Sequence, residues 1–293
     1  MTAQDIPEFD PFIELDWNSL FGLADFGSTL RTLGPGMFLP LSGQLDRYEA
    51  ELRRPSPALS AFFARVKEKI SDADYAHVQK RHLNREAIAY LVASMKEWAA
   101  WGTNSPAEKY LNFTAFAVSK FQHAVRLGLH KSPPLDILDL GAGPGHFALV
   151  CDYFGHRCLG LDVPLEPTVP GLDRHLYHDL CDLFGVATIA QAIEAQKPLD
   201  LPRRFDRVTC WMGKFHRAHR VSESGDAEFA DWDVNDWAYL LRDLKTNALK
   251  DEFEIHLQLA PIKDAGVMDF LSTRSTGGNA ERFLFVYDET SAI

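Results

Sequence analysis

The sequence predicts an α/β protein, a doubly wound and mostly parallel sheet with a mainly helical extension before it, and three observations carry that reading. Between Ile137 and Val163 the chain runs as strand, glycine loop, helix, strand and acid. Beyond Val163, stretches patterned as strands and helices keep alternating to the C-terminus. From Pro57 to Leu129 the apolar residues recur at helical spacing. A 293-residue chain has room for both parts, and the expected division is 1–133, an arm and helical extension acting as substrate cap, lid or oligomerisation element, and 134–293, the sheet domain.

Residues 1 to 55 are the least readable. Pro7, Pro11, Pro35 and Pro40 interrupt a segment rich in aromatics, among them Phe9, Phe12, Trp17, Phe21, Phe26 and Phe38. So many apolar side chains need a surface to cover, which makes the segment an arm or lid or, by the favoured reading, ordinary packing. Ile88, Leu91, Val92, Met95 and Trp98 mark one face of a helix beginning near Asn84, and Ser105 with Glu108 forms a capping box for the next. Tyr110, Phe113, Ala117, Phe121, Ala124 and Val125 run along that next helix, which Gly128, Pro133 and Pro134 close. The stripe reads as core; its functional alternative is that Tyr110, Asn112 or Phe113 faces a ligand cleft.

Ile137 to Leu140 is suited to a buried strand, and Gly141, Gly143 and Gly145 then remove side chains where the backbone must approach a ligand. Phe147, Val150, Cys151 and Phe154 give the following helix one apolar stripe, with Gly155 as its C-terminal cap. Cys158 to Leu161 form the second strand, and Asp162 at its end can accept hydrogen bonds from a ribose diol. A dinucleotide fold wants Gly-x-Gly-x-x-Gly, but the third glycine position here is His146. The chain has Asp-x-Gly-x-Gly-x-Gly from Asp139 to Gly145 instead. This resembles the first motif of the class I S-adenosylmethionine-dependent methyltransferases; a chance glycine-rich turn is the alternative. The resemblance covers roughly residues 135–290. It implies a Rossmann-like methyltransferase fold with S-adenosyl-L-methionine as cofactor. Asp139, Gly141, Ala142, Gly143 and Gly145 would pass beneath the methionine part, and Asp162 with Val163 would lie at the ribose.

Arg174 to His178 reads as the third strand, with Asp179 at its end and Leu183, Val186, Ala190 and Ile193 facing the core from a following helix. The resemblance implies that Asp179, with Leu180, contacts the adenine; a solvated loop aspartate is the other reading. Phe205 to Trp211 is the fourth strand, and Trp211 to His219 should form a wall of the cleft, since ligands bind beyond the carboxyl ends of parallel strands. Backbone carbonyls near Gly141 and Trp211 suit the ammonium of the cofactor, and the N-terminus of the helix after Gly145 suits its carboxylate. His216 stands where many small-molecule methyltransferases carry a histidine. It is the candidate catalytic base, with a structural loop histidine the stronger reading. His216 and His219 have a metal-like spacing but no third ligand, so no metal is expected. Val234, Trp237, Leu241, Leu244 and Ala248 mark an amphipathic helix before a fifth strand from Phe253 to Leu259. A short helix from Ala265 to Ser275 and a strand from Arg282 to Tyr287 follow. A methyltransferase sheet usually ends in an antiparallel pair, so one of the last two strands is short, hidden in residues 260–275, or missing.

Composition narrows the function classes. A formal charge of −11 disfavours a nucleic-acid backbone as partner. No apolar run reaches membrane-spanning length, and the N-terminus lacks a signal peptide, so no membrane partner and a cytoplasmic location are expected. Cys151, Cys158, Cys181 and Cys210 have no paired spacing and read as reduced structural thiols. The expected activity is methyl transfer to a small molecule, oxygen slightly ahead of nitrogen, with a homodimer contact through the N-terminal region. The loop after the fourth strand lacks the Asn-Pro-Pro-Tyr type of sequence found in enzymes that methylate base or glutamine amino nitrogens. The alternatives are a protein that binds the cofactor without turnover, in a regulatory or scaffold role, and a methyltransferase acting on a protein.

Overall fold

The computed structural model describes residues 39–51, 56–82, 110–163, 172–213, 215, 220–221, 227–228 and 231–293. The aromatic segment of residues 1–38, the helix from Asn84, the capping box of Ser105 and Glu108, and the loop histidines His216 and His219 lie outside the described residues. The chain divides into two compact units that interleave in sequence, one drawn from 1–132, 144–154 and 166–185, the other from 133–143, 155–165 and 186–293.

The first unit is helical: α1 (Leu41–Glu51), α2 (Pro57–Lys69), α3 (Asp72–His82), α4 (Phe113–Arg126), α5 (His146–Tyr153) and α6 (Leu176–Phe184). Pro57 opens α2 at a position whose N–H would have no helical partner, and Gly128 takes up a left-handed conformation just after α4. Its core is aromatic: Phe62 of α2 lies 5.2 Å from the Phe121 ring of α4 and 5.1 Å from Tyr153 of α5. The buried Gln44 amide ties α1 to the start of α4, donating to the Leu111 carbonyl at 3.1 Å and accepting from the Phe113 N–H at 2.9 Å.

The second unit holds a seven-stranded sheet. Its strands are β1 (Asp136–Leu140), β2 (Arg157–Asp162), β3 (Ala187–Ala190), β4 (Phe205–Gly213), β7 (Leu249–Leu259), β8 (Gly277–Asn279) and β9 (Leu284–Asp288), in the order β3-β2-β1-β4-β7-β9-β8. A separate two-stranded pair, β5 (Arg220–Val221) and β6 (Ala227–Glu228), lies between β4 and α7 (Val234–Asp243) in sequence. The first five strands of the order pair in parallel; β9 is antiparallel to both of its neighbours. One face is the core, where Leu138, Leu140, Val208, Cys210, Ile255 and Leu257 meet Trp237 and Leu240 of α7 and Leu271 of α8 (Ala265–Arg274). The buried Tyr287 hydroxyl donates to the Leu271 carbonyl at 3.1 Å, locking β9 to α8. Asp233 caps α7 by accepting from the N–H groups of Asn235 and Asp236, while Asp236 accepts from the N–H of Asp233.

One expectation is corrected, and another is settled among its alternatives. The segment read as a third strand is not one: His175 accepts the Tyr177 N–H at 3.1 Å and starts α6, which ends at the left-handed Gly185. The third strand is β3, further on, and no helix spans Leu183 to Ile193. At the far edge, the last pair of strands is present: β8 is short and lies beyond residues 260–275, and β9 begins after a 3₁₀ turn at Ala280–Arg282, so the final strand starts two residues later than expected.

Candidate functional site

The glycine loop leaves β1 with left-handed backbone at Gly141 (φ 70°) and Gly143 (φ 56°), conformations that a side chain would strain. The N–H groups of Gly141 and Ala142 both donate to the Leu161 carbonyl, at 2.8 and 3.2 Å, so the loop folds back against the end of β2. Asp162 completes this turn. Its Oδ2 accepts the Gly143 N–H at 2.6 Å and its Oδ1 accepts the Val163 N–H at 2.8 Å, so the acid at the strand end also holds the loop. Gly160, two residues earlier, makes the close approach feasible: a Cβ there would stand 2.8 Å from the Ala142 Cβ and 3.2 Å from Thr188 Cγ2.

Asp139 lies one strand residue below the loop and is buried. The fully buried Thr209 of β4, its cross-strand partner, donates to the Asp139 Oδ1 at 2.7 Å. A buried carboxylate needs such donors, because removing it from water without them is costly. Trp211 stands half-buried two residues further along β4, toward the carboxyl end of the sheet, where the pairing with β7 carries an irregularity between Trp211 and Gly213. On the same face as Thr209 and Asp139 lie His256, whose ring nitrogen Nε2 is 3.0 Å from Glu254 Oε2, and Arg207, which pairs with Glu254. Hydrogen bonding to His256 is the largest influence holding the Glu254 carboxyl below its ordinary range.

The helical unit contains the other residues that the sequence singled out. Gly145 (φ 80°) is the N-cap of α5. His146 begins that helix, and its ring is buried among Phe113 (5.4 Å), Phe116 (5.8 Å) and Phe184 (5.0 Å). Burial, aided by the charge of Lys120, pushes its pKa down to about 3, so it is neutral. Asp179 is not at a strand end but inside α6, next to Leu180, which is fully buried. Its carboxylate is 2.7 Å from His82 Nε2, 3.3 Å from Arg81 Nε and 3.4 Å from Arg174 Nε. Desolvation, outweighing this hydrogen bond, keeps the His82 pKa below its ordinary value. The strand-end position that the resemblance assigns to an adenine-contacting acid is therefore not where Asp179 stands. At the actual end of β3, Ala190 is followed by Gln191, whose N–H donates to the Asp162 carbonyl at 2.8 Å.

Of the expected site residues, the structure brings Asp139, Gly141, Ala142, Gly143, Asp162 and Val163 to one loop and strand end, with Trp211 on β4 in the same unit. Sequence reading missed Gly160 and Thr209. A glycine inside a strand signals close approach of another backbone, and Gly160 carried that signal; Thr209 had none.

Fold and loop define a Rossmann-like α/β protein with a glycine turn after its first strand. Solved structures similar to this chain include the glycopeptide N-methyltransferase MtfA complexed with S-adenosyl-L-methionine (17% identity, TM-score 0.30, 50% of this chain and 55% of that one). Also similar are a cyclopropane-fatty-acyl-phospholipid synthase-like protein from Lactobacillus casei (17%, 0.34, 48% and 48%) and the CcbJ methyltransferase from Streptomyces caelestis (13%, 0.31, 47% and 48%). The chain spans about half the length of these structures. No protein-family model and no curated protein matches it.

Proposed function

We propose that the protein is an S-adenosylmethionine-dependent methyltransferase acting on a small molecule. The observation that carries the proposal is the Asp162 carboxylate at the carboxyl end of β2, closing the Gly141–Gly143 turn through the Gly143 N–H at 2.6 Å. The residues present fit the cofactor. Gly141 and Gly143 have left-handed backbone and no Cβ, so the loop offers backbone alone to a ligand laid against it. Asp162 stands at the carboxyl end of β2, where a carboxylate can accept hydrogen bonds from a ribose diol. Trp211, near the carboxyl end of β4, has a backbone carbonyl suited to the ammonium of the cofactor. The dinucleotide alternative needs a close helix–strand contact at a third glycine, and that position is the bulky, buried His146.

The cofactor, when bound, supplies an activated methyl group, so the protein has mainly to bind, align and exclude water. Alignment of two reactants is worth about 7–11 kcal/mol, against a factor of about 10²–10⁴ for a general base. Asp162 and the glycine turn serve alignment, and Thr209 keeps Asp139 rigid beneath them. Oxygen stands ahead of nitrogen as acceptor if His216 serves as base, and no better than level with it if His216 is a structural loop histidine. A net charge of −11 favours a small molecule over a nucleic acid.

The test is transfer of labelled methyl groups from S-adenosylmethionine to pooled small-molecule extracts. Incorporation that Asp162→Ala abolishes is expected. Cofactor binding without incorporation into any pool would favour the reading as a binding protein.

A further inference from the structure

The sheet is irregular at the carboxyl end of β4. That strand advances by two residues, from Trp211 to Gly213, while its partner β7 advances by one, from Gln258 to Leu259, so β4 carries an extra residue. Such a bulge bends its strand and re-aims the groups beside it. Two contacts hold this one in place. The Ala260 N–H donates to the Gly213 carbonyl at 3.0 Å. The Phe215 ring lies against Gly213 itself: a Cβ on that glycine would stand 2.8 Å from Phe215 Cε2 and would collide with Cys210 Sγ. Only a glycine lets the ring close on the bulge.

Phe215 is fixed in turn. Its ring centroid is 5.0 Å from that of Trp232 and 4.9 Å from that of Trp237, and the two indoles are 5.3 Å from each other. Both indoles are buried. Trp232 precedes Asp233, the N-cap of α7, and Trp237 stands four residues after it, the two positions that pack together as a hydrophobic staple at the start of a helix. The Trp232 N–H also donates to the Phe215 carbonyl at 3.3 Å. The capped and stapled start of α7 is thus a firm base that reaches, through Phe215 and Gly213, to the bulge. What the bulge aims is the part of β4 nearest the glycine turn. Leu140 pairs with Cys210, so the next step along both strands brings Trp211 level with Gly141.

We infer that Phe215 is a positioning residue for the amino-acid end of the cofactor, acting through Gly213 and the bulge to set the direction of the Trp211 carbonyl that receives the ammonium. The inference rests on the methyltransferase reading. It divides the cofactor in two: the nucleoside, held at Asp162, is independent of Phe215, and the amino-acid end is not.

The experiment compares calorimetric titrations of the full chain with S-adenosylhomocysteine and with 5′-methylthioadenosine, which keeps the nucleoside and its sulfur but has neither ammonium nor carboxylate. A hydrogen bond from a charged group carries roughly tenfold or more in affinity, so Phe215→Ala should weaken S-adenosylhomocysteine by about that factor and leave 5′-methylthioadenosine nearly unchanged. Phe215→Tyr, which restores the ring, should recover the lost affinity. Where melting shows that Phe215→Ala does not fold, Phe215→Leu, which keeps much of the apolar volume without the ring, is read in the same way. A merely structural role would weaken both ligands alike. That result, undiminished S-adenosylhomocysteine binding, or a wild type that does not bind 5′-methylthioadenosine would each overturn the assignment. A wild type that binds no S-adenosylhomocysteine would instead sink the methyltransferase reading, and the inference with it.

Discussion

Asp162 does two things at once: it ends a strand and it closes the loop that the first strand opens. Its bond to the Gly143 N–H at 2.6 Å means that the turn is fixed before any ligand arrives, which is the condition for low-cost binding. Gly160 permits this geometry. Placing a methyl group there forces Ala142 to move, since the new Cβ would lie 2.8 Å from the existing one. Gly160→Ala is therefore expected to cost about 1–3 kcal/mol of stability as overpacking, and to weaken cofactor binding because Ala142 is part of the turn. Chemical denaturation and a binding isotherm measure the two effects, and wild-type values in both would show that the loop has room to shift. The motif from Asp139 to Gly145 and the acid Asp162 were legible in the sequence because their spacing is set by local chain geometry. Thr209 was not, since its partnership with Asp139 depends on a strand pairing between residues 70 positions apart.

At the scale of elements, the sequence reading succeeded where a period was strong and failed where two signals competed. The stripe from Tyr110 to Val125 became α4 only from Phe113 on, since Tyr110 lies before the break at Leu111 and the N-cap Asn112, and the run from Val234 to Ala248 became α7, continuing into a π turn at Leu244–Ala248. Arg174 to His178 alternates like a strand over a few residues, but Leu176, Leu180 and Phe184 recur every four and Gly185 stops the helix, and that longer period won. β3 escaped notice because ATIA is short and mostly exposed, with no apolar alternation to mark it. Helix α5 carries an acid sensitivity of its own. His146 is neutral in the folded chain with a pKa near 3, whereas the unfolded chain takes up a proton near the ordinary value of about 6.5. Stability is thus complete above the unfolded value and falls as pH drops from about 6.5 toward 3, by at most about 1.4 kcal/mol per pH unit for this one group. His175, pushed down to about 4 chiefly by burial, adds to the loss in the same direction. Unfolding of His146→Phe measured between pH 7 and 4 should show a shallower acid limb than the wild type; an unchanged slope would mean that the ring is protonated in the folded state.

For the molecule as a whole, the strand order β3-β2-β1-β4-β7-β9-β8 brings the carboxyl ends of β1, β2 and β4 to one edge of the sheet. That edge is where an open parallel sheet binds ligands. Everything proposed about the reaction follows from which ligand lies there. No helix among the described residues is long and apolar enough to cross a membrane. The most direct test is a calorimetric titration of the full chain with S-adenosylhomocysteine and, separately, with NAD. Saturable binding of the nucleoside with one site per chain, lost in Asp162→Ala and absent with NAD, is the predicted result. Binding of NAD in its place, or undiminished S-adenosylhomocysteine binding by Asp162→Ala, would contradict it.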